Sequence, residues 1–79
     1  MNFNFEVRTL LKYGTVIKRL RDERGLKAKF VAGKIGITMD GYFKLENNIN
    51  GLSLRRLEQI APIFGMTVPE LLDELKKAS

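Results

Sequence analysis

The sequence of 79 residues contains no cysteine and no histidine. The first absence excludes disulfide bonds and thiolate metal sites, and the second removes the commonest general base and metal ligand. No apolar run approaches the ~20 residues that a membrane-spanning helix requires, and the first residues lack the charged and then apolar pattern of a signal peptide. We therefore expect a cytoplasmic protein that is not an enzyme, carries no cofactor or metal, and makes no membrane contact.

Acidic residues are scarce in the first half of the chain. Between residues 8 and 44 ten Lys/Arg stand against three Asp/Glu, a balance of +7, whereas the whole chain carries +5. Beyond residue 44 the balance is slightly acidic. This asymmetry suits a polyanionic partner on one side of a single small domain, although a solvated surface would give the same composition.

Apolar spacing and end signals predict five helices. Glycines at 25, 36 and 65 are stop signals, and Thr38 and Ser53 are good N-caps. The fifth helix is expected to begin with a capping box between Thr67 and Glu70. The first four are predicted over residues 14–24, 27–34, 39–46 and 54–64.

Residues 1–12 form an arm with two competing patterns. Phe3, Phe5 and Val7 alternate with polar residues, which favours a β-strand. The spacing of Phe3, Val7 and Leu10 also fits a heptad that continues the first helix through residues 14, 17 and 21, and a disordered tail is a third alternative. We favour the strand, which would need a second copy of the chain to pair its free edge.

The second and third predicted helices form a helix-turn-helix pattern. Ala32 is small enough for a close helix crossing, Gly36 permits a left-handed turn, and Ile37 can fill the corner. The run GLKAKFVAGKIGITMDGYFKLENN, followed by LSLRRLEQIAPIFGMTVPELL, resembles the phage repressor and Cro type (XRE-like) of helix-turn-helix DNA-binding domain. The resemblance covers about residues 12–75. It implies an all-α, five-helix phage-repressor-like bundle over residues 13–77, preceded by the arm as a possible dimerisation strand.

The resemblance also implies which residues bind DNA. The third helix would enter the major groove, and the start of the second helix and the loop after the third would contact phosphates. The base-facing residues would be Thr38, Met39, Asp40, Phe43 and Lys44. The phosphate-contacting residues would be Lys27, Ala28, Lys29, Asn47 and Asn48. Arg21 and Glu46 match an ion pair of the family that ties the first helix to the third.

Some positions depart from the usual pattern. Many relatives have glutamine at the position of Ala28, and this glutamine contacts phosphate. The alanine side chain cannot make that contact. Asp40 could accept a hydrogen bond only from cytosine N4, Lys44 could donate to guanine or phosphate, and Met39 and Phe43 could cover thymine methyl groups. Phe30 points away from the apolar face of its helix. Either the arm folds back and covers it, or it belongs to a protein-binding patch.

The function implied by the resemblance is a sequence-specific DNA-binding transcriptional regulator. We expect a nucleoid-associated repressor that binds double-stranded DNA as a homodimer, with a protein partner such as a toxin or an anti-repressor left open. One alternative is the antitoxin of a toxin–antitoxin pair, which binds a toxin and regulates its own gene. Another is a protein-interaction module that has kept the fold alone.

Overall fold

The computed structural model describes residues 3–47 and 52–77, with side chains from residue 13 onward. These residues form five helices and no strand, so the all-α prediction is confirmed. No helix in this part of the chain is long and apolar enough to cross a bilayer. The helices are α1 (Phe3–Glu23), α2 (Ala28–Lys34), α3 (Met39–Glu46), α4 (Leu54–Ile63) and α5 (Val68–Lys77).

The predicted helix starts are set by local hydrogen bonds. Thr38 Oγ1 accepts from the Gly41 N–H at 3.1 Å, and Ser53 Oγ accepts from the Arg56 N–H at 3.1 Å. At α5 the box is reciprocal, because the Thr67 N–H donates to Glu70 Oε1 while the Glu70 N–H donates to Thr67 Oγ1. The predicted limits of α2, α3 and α4 are therefore correct to within one residue.

The N-terminal segment is helical, so the predicted β-strand is wrong. α1 begins at Phe3 and continues without interruption to Glu23, as the heptad alternative required. A helix satisfies its own backbone N–H and C=O groups, whereas a lone strand leaves one or both edges unpaired. A helix is predicted from Gly14 onward, and adding residues to the end of an existing helix costs less free energy than nucleating a separate element. The dimer that would have paired through this strand is therefore also wrong. The domain boundary between residues 12 and 13 stays a prediction.

The core lies between α1, α3, α4 and α5, with α2 packed across α3 and α4. Each helix contributes a stripe of apolar side chains that is almost inaccessible to solvent, as a small bundle requires. The largest fully buried side chains are Tyr42, Ile17, Ile60, Leu71, Leu75 and Val31. This packing fixes α3 from behind and leaves its opposite face in solvent.

Gly14 marks the closest approach of α1 to the end of α3. A Cβ atom at this position would lie 2.5 Å from the Glu46 carbonyl oxygen and closer still to that of Leu45. Both neighbours are backbone atoms, which cannot rotate away as a side chain could. Glycine therefore allows the two backbones to pass in contact.

We expect Gly14→Ala to destabilise the protein. Overpacking costs about 1–3 kcal/mol, which exceeds the gain of up to ~1 kcal/mol from removing a glycine within a helix. Gly33→Ala in α2 is the matched control, because an added Cβ meets no atom within 4 Å there. In urea denaturation, Gly33→Ala should be at least as stable as the parent and Gly14→Ala less stable. Equal stability of Gly14→Ala and the parent would contradict the close approach.

Candidate nucleic-acid interface

The helix-turn-helix consists of α2, a tight turn and α3. Gly36 has a φ of +73°, in the left-handed region that disfavours side chains. The Ile37 N–H then donates to the Ala32 carbonyl at 3.0 Å, and the Ile37 side chain packs against the core. Val31 and Ala32 are buried on the inner face of α2. The turn thus fixes the angle between the two helices from inside.

The exposed face of α3 carries four of the five residues predicted to face bases. Tyr42, Leu45 and Glu46 are buried on the inner face. The side chains on the opposite face lie at positions 39, 40, 43 and 44, the spacing of one helical face. Met39 is 44% and Phe43 63% exposed, which is unusual for large apolar side chains. The fifth residue, Thr38, is exposed at the start of the helix.

Two charges on this face bind each other. Asp40 Oδ2 lies 3.0 Å from Lys44 Nζ, one helical turn away, with the two side chains 79% and 47% exposed. An exposed pair at this spacing is worth only ~0.2–0.5 kcal/mol, so it opens readily. In the absence of DNA, therefore, the two charged residues predicted to contact bases form a weak ion pair with each other.

The start of α2 is basic and has no side-chain cap. Lys27 occupies the N-cap position with an extended backbone, and the first turn has no acidic residue. Lys27 and Lys29 are exposed. Ala28, also predicted to contact phosphate, packs partly against the core. Its contact with phosphate would therefore be made by the backbone N–H. The positive end of this helix dipole therefore adds to the two lysine charges.

The Asn47 side chain is hydrogen-bonded at the end of α3, and its predicted phosphate contact stays a prediction. Its Nδ2 donates to the Phe43 carbonyl at 2.7 Å, and the same carbonyl accepts from the Asn47 backbone N–H at 3.0 Å. To contact a phosphate, Asn47 would use the second hydrogen of its amide group, or its hydrogen bond to Phe43 would have to break. Asn48 lies outside the described residues.

The ion pair expected between Arg21 and Glu46 is present. Arg21 Nε donates to Glu46 Oε2 at 2.7 Å and Nη2 to Oε1 at 3.2 Å, with the side chains only 12% and 6% exposed. Arg21 Nη1 also donates to the Leu26 carbonyl at 2.8 Å. The hydrogen bonds to Glu46 raise the pKa of Arg21. This network joins the end of α1 to the end of α3.

Tyr42 lies against the same network in the core. Burial raises the pKa of its phenol well above the usual value, and the neighbouring Glu46 carboxylate raises it further. The hydroxyl is therefore neutral at any physiological pH. Among the described residues, no cluster of His, Cys, Asp or Glu could hold a metal ion.

Two arginines beside the turn escaped the sequence prediction. Arg55 and Arg56 line a cavity of about 270 Å³ together with residues 35–37 of the turn. Arg56 Nη1 donates to Gln59 Oε1 at 2.8 Å and to the Ile35 carbonyl at 3.4 Å. Their position in the first turn of α4 was a usable signal, because cations near the start of a helix oppose the helix dipole.

Phe30 is exposed on α2, and Lys34 Nζ lies 5.5 Å from the centre of its ring. At this distance the ammonium group is attracted to the face of the ring. The alternative in which the arm covers Phe30 depends on side chains outside the described residues. Phe30 and Phe43 are thus two exposed aromatic rings on the helix-turn-helix.

Comparisons with known proteins agree with this geometry. Residues 17–71 match the helix-turn-helix family. The HTH-type transcriptional regulator DdrOP3 of Deinococcus deserti is 37% identical over 57 residues, 72% of this chain and 44% of that protein. Control protein C.MunI of a Mycoplasma species is 31% identical over 68 residues, 85% of this chain and 92% of its own length.

No solved structure matches the chain. The chain spans less than half the length of the Deinococcus regulator, whereas the control protein is covered almost completely. The family match extends from Ile17 in α1 to Leu71 in α5 and includes the whole helix-turn-helix. The chain belongs to the XRE-like helix-turn-helix family of DNA-binding domains.

Proposed function

We propose that the chain is a transcriptional regulator, most simply a repressor, that inserts α3 into the major groove of double-stranded DNA. The observation that carries this proposal is the exposed face of α3, where two charged and two large apolar side chains stand in solvent on a helix fixed from behind. The regulatory names of both relatives support it.

The base contacts follow from the side chains on this face. Asp40 accepts a hydrogen bond from cytosine N4, and Lys44 donates to guanine O6 or N7. Met39 and Phe43 cover the C5-methyl groups of thymine, which distinguishes T·A from C·G pairs without hydrogen bonds. Thr38 already accepts from the Gly41 N–H, and its hydroxyl hydrogen remains for an acceptor on a base edge.

The phosphate contacts flank this face. Lys27 and Lys29 bind one strand together with the Ala28 N–H at the positive end of α2. Asn47 and Asn48 bind the other side of the groove. These contacts set the position of the protein on DNA, whereas the few base contacts leave part of the specificity to DNA shape.

We further propose that residues 13–77 form the DNA-binding unit and that it acts as a homodimer. Helix-turn-helix dimers bind two half-sites about 34–36 Å apart, or a multiple of this distance. The expected operator is then a pseudo-palindrome. Repression follows when such a dimer occupies a promoter.

A protein partner is the second candidate function, favoured by the exposed rings of Phe30 and Phe43. In the antitoxin alternative the same domain regulates its own gene while the aromatic surface holds a toxin. In the pure interaction module DNA binding is lost. Salt dependence separates the DNA-binding alternatives, regulator and antitoxin, from the pure interaction module. Only a DNA-binding protein shows strongly salt-dependent affinity for duplex DNA.

Lys44→Ala tests the orientation of the interface. We expect affinity for duplex DNA from upstream of the gene to fall at least about fivefold, corresponding to ~1 kcal/mol. Lys77→Ala is the matched control, because it removes the same charge from an exposed position on α5. Fluorescence anisotropy of both variants at one salt concentration measures the difference. If the two variants bind equally well, α3 does not form the interface.

A further inference from the structure

The acidic residue on the exposed face of α3 needs an explanation. Asp40 is the only carboxylate among residues 27–45, and it stands 79% exposed where the proposed function brings a polyanion. Its partner Lys44 is the cation most directly placed on the same face. The pair has no net charge, so Lys44 adds little attraction for unselected DNA while Asp40 is beside it.

The ion pair itself is too weak to hold Lys44 away from DNA. An exposed pair at this spacing is worth at most about a twofold change in population. The larger effect comes from the carboxylate, which is repelled by phosphates wherever the groove offers it no donor. A cytosine amino group removes that penalty, because it donates to Asp40 and leaves Lys44 to reach a neighbouring guanine or phosphate.

We propose that Asp40 determines specificity by lowering affinity for unselected DNA more than for the cognate site. This inference rests on the proposed DNA-binding function and adds a role for the acidic group that base reading alone does not require. Specificity is a difference of affinities, and a repulsive group directed at wrong partners increases that difference. Asp40 and Lys44 then act as one unit.

A structural role for Asp40 is the competing explanation. An acidic residue in the first turn stabilises a helix through the dipole, and Asp40 lies in the first turn of α3. Such a role would change the melting temperature but not the dependence of DNA binding on salt. The salt dependence therefore separates the two roles.

The experiment compares two duplexes and three variants. One duplex is poly(dA-dT), which has no cytosine, and the other is a site that the parent protein selects from a randomised duplex pool. Asp40→Ala removes the carboxylate, and Asp40→Glu retains it. Asp22→Ala is the matched control, since Asp22 Oδ2 forms an exposed pair with Lys18 at 4.0 Å and the same helical spacing on α1. Asp22 Oδ1 also lies 3.4 Å from Arg21 Nη1, so the melting curve of this control is measured as well.

We expect Asp40→Ala to bind poly(dA-dT) about eightfold more tightly than the parent at ~0.1 M salt, with a log–log salt slope steeper by about 0.9 per protomer, as for one additional phosphate contact. Its preference for the selected site should fall by roughly fivefold to 150-fold. Asp22→Ala should stay within about twofold of the parent on poly(dA-dT). Asp40→Glu keeps the carboxylate, so its affinity for poly(dA-dT) should be nearer to that of the parent than to that of Asp40→Ala.

The failure of this inference is distinct from that of the proposed function. If Asp40→Ala and Asp22→Ala bind poly(dA-dT) with the same affinity and slope, Asp40 has no such role, although the parent still binds DNA. A parent protein that binds neither duplex at low salt overturns both proposals. Melting curves of all variants show whether a change in DNA affinity accompanies a change in Tm. If the affinity change of Asp40→Ala follows from lower α3 stability alone, the specificity role is also overturned.

Discussion

Replacing Glu46 with glutamine lowers the free energy of unfolding by about 3–5 kcal/mol, because it removes the buried carboxylate from a largely buried guanidinium. The carboxylate that remains, Asp22 Oδ1 at 3.4 Å from Arg21 Nη1, is exposed to solvent. Arg21 and Glu46 are 12% and 6% exposed, so water cannot replace the lost carboxylate. Glutamine fills the same space but brings an NH₂ group toward the donors of Arg21. For a domain of this size the expected fall in Tm is at least about 12 °C.

Thermal unfolding of Glu46→Gln beside Glu74→Gln measures this effect. Glu74 accepts a hydrogen bond from Arg19 at 2.9 Å, in a far more exposed ion pair between α1 and α5. Exposed pairs contribute little to stability, so Glu74→Gln should melt close to the parent. A Glu46→Gln protein that also melts within a degree or two of the parent would show that the buried pair has no such role.

A double replacement separates the cost of an unpaired charge from the value of the pair. Arg21→Met with Glu46→Leu removes both charges and keeps apolar volume, and such exchanges are often neutral or stabilising. Here recovery should be incomplete, because the Leu26 carbonyl also loses the donor that Arg21 Nη1 provides. The double variant should therefore lie between Glu46→Gln and the parent.

The helix-turn-helix could be predicted because its signals are local. Thr38, Ser53 and the Thr67–Glu70 box act within four residues of themselves, so sequence and structure agree there. The Arg21–Glu46 pair came from the family resemblance and is a contact across 25 residues. A local signal predicts only a pair between Arg21 and the adjacent Asp22, which also forms at 3.4 Å.

Other features depend on tertiary packing and could not be predicted in the same way. Alternation and heptad spacing both fit the arm, and only the continuity of α1 decides for the helix. Gly14 looks like a weak helix residue until the end of α3 is placed against it. The amide of Asn47 could equally serve a phosphate or the helix end, and the fold uses it at the Phe43 carbonyl.

The affinity for duplex DNA should fall steeply with salt if the proposed function is correct. Four exposed lysines lie on the helix-turn-helix, Lys27, Lys29, Lys34 and Lys44. Neutralising about four phosphates per protomer gives a log–log slope near −3.6. Affinity would then drop roughly 150-fold between about 50 and 200 mM monovalent salt, and a dimer that binds as one unit would double the slope to about −7.

Anisotropy titrations of a labelled duplex at five or six salt concentrations give this slope directly. On the selected site the slope should be near this value, because Lys44 is released from Asp40 there. On poly(dA-dT) it should be shallower by about 0.9 per protomer, because Asp40 still neutralises Lys44. Lys27→Ala should reduce the slope by about 0.9 per protomer, whereas Lys77→Ala on α5 should leave it unchanged. A flat response in the parent would instead favour the protein-interaction module, with Phe30 and Phe43 as its contact surface.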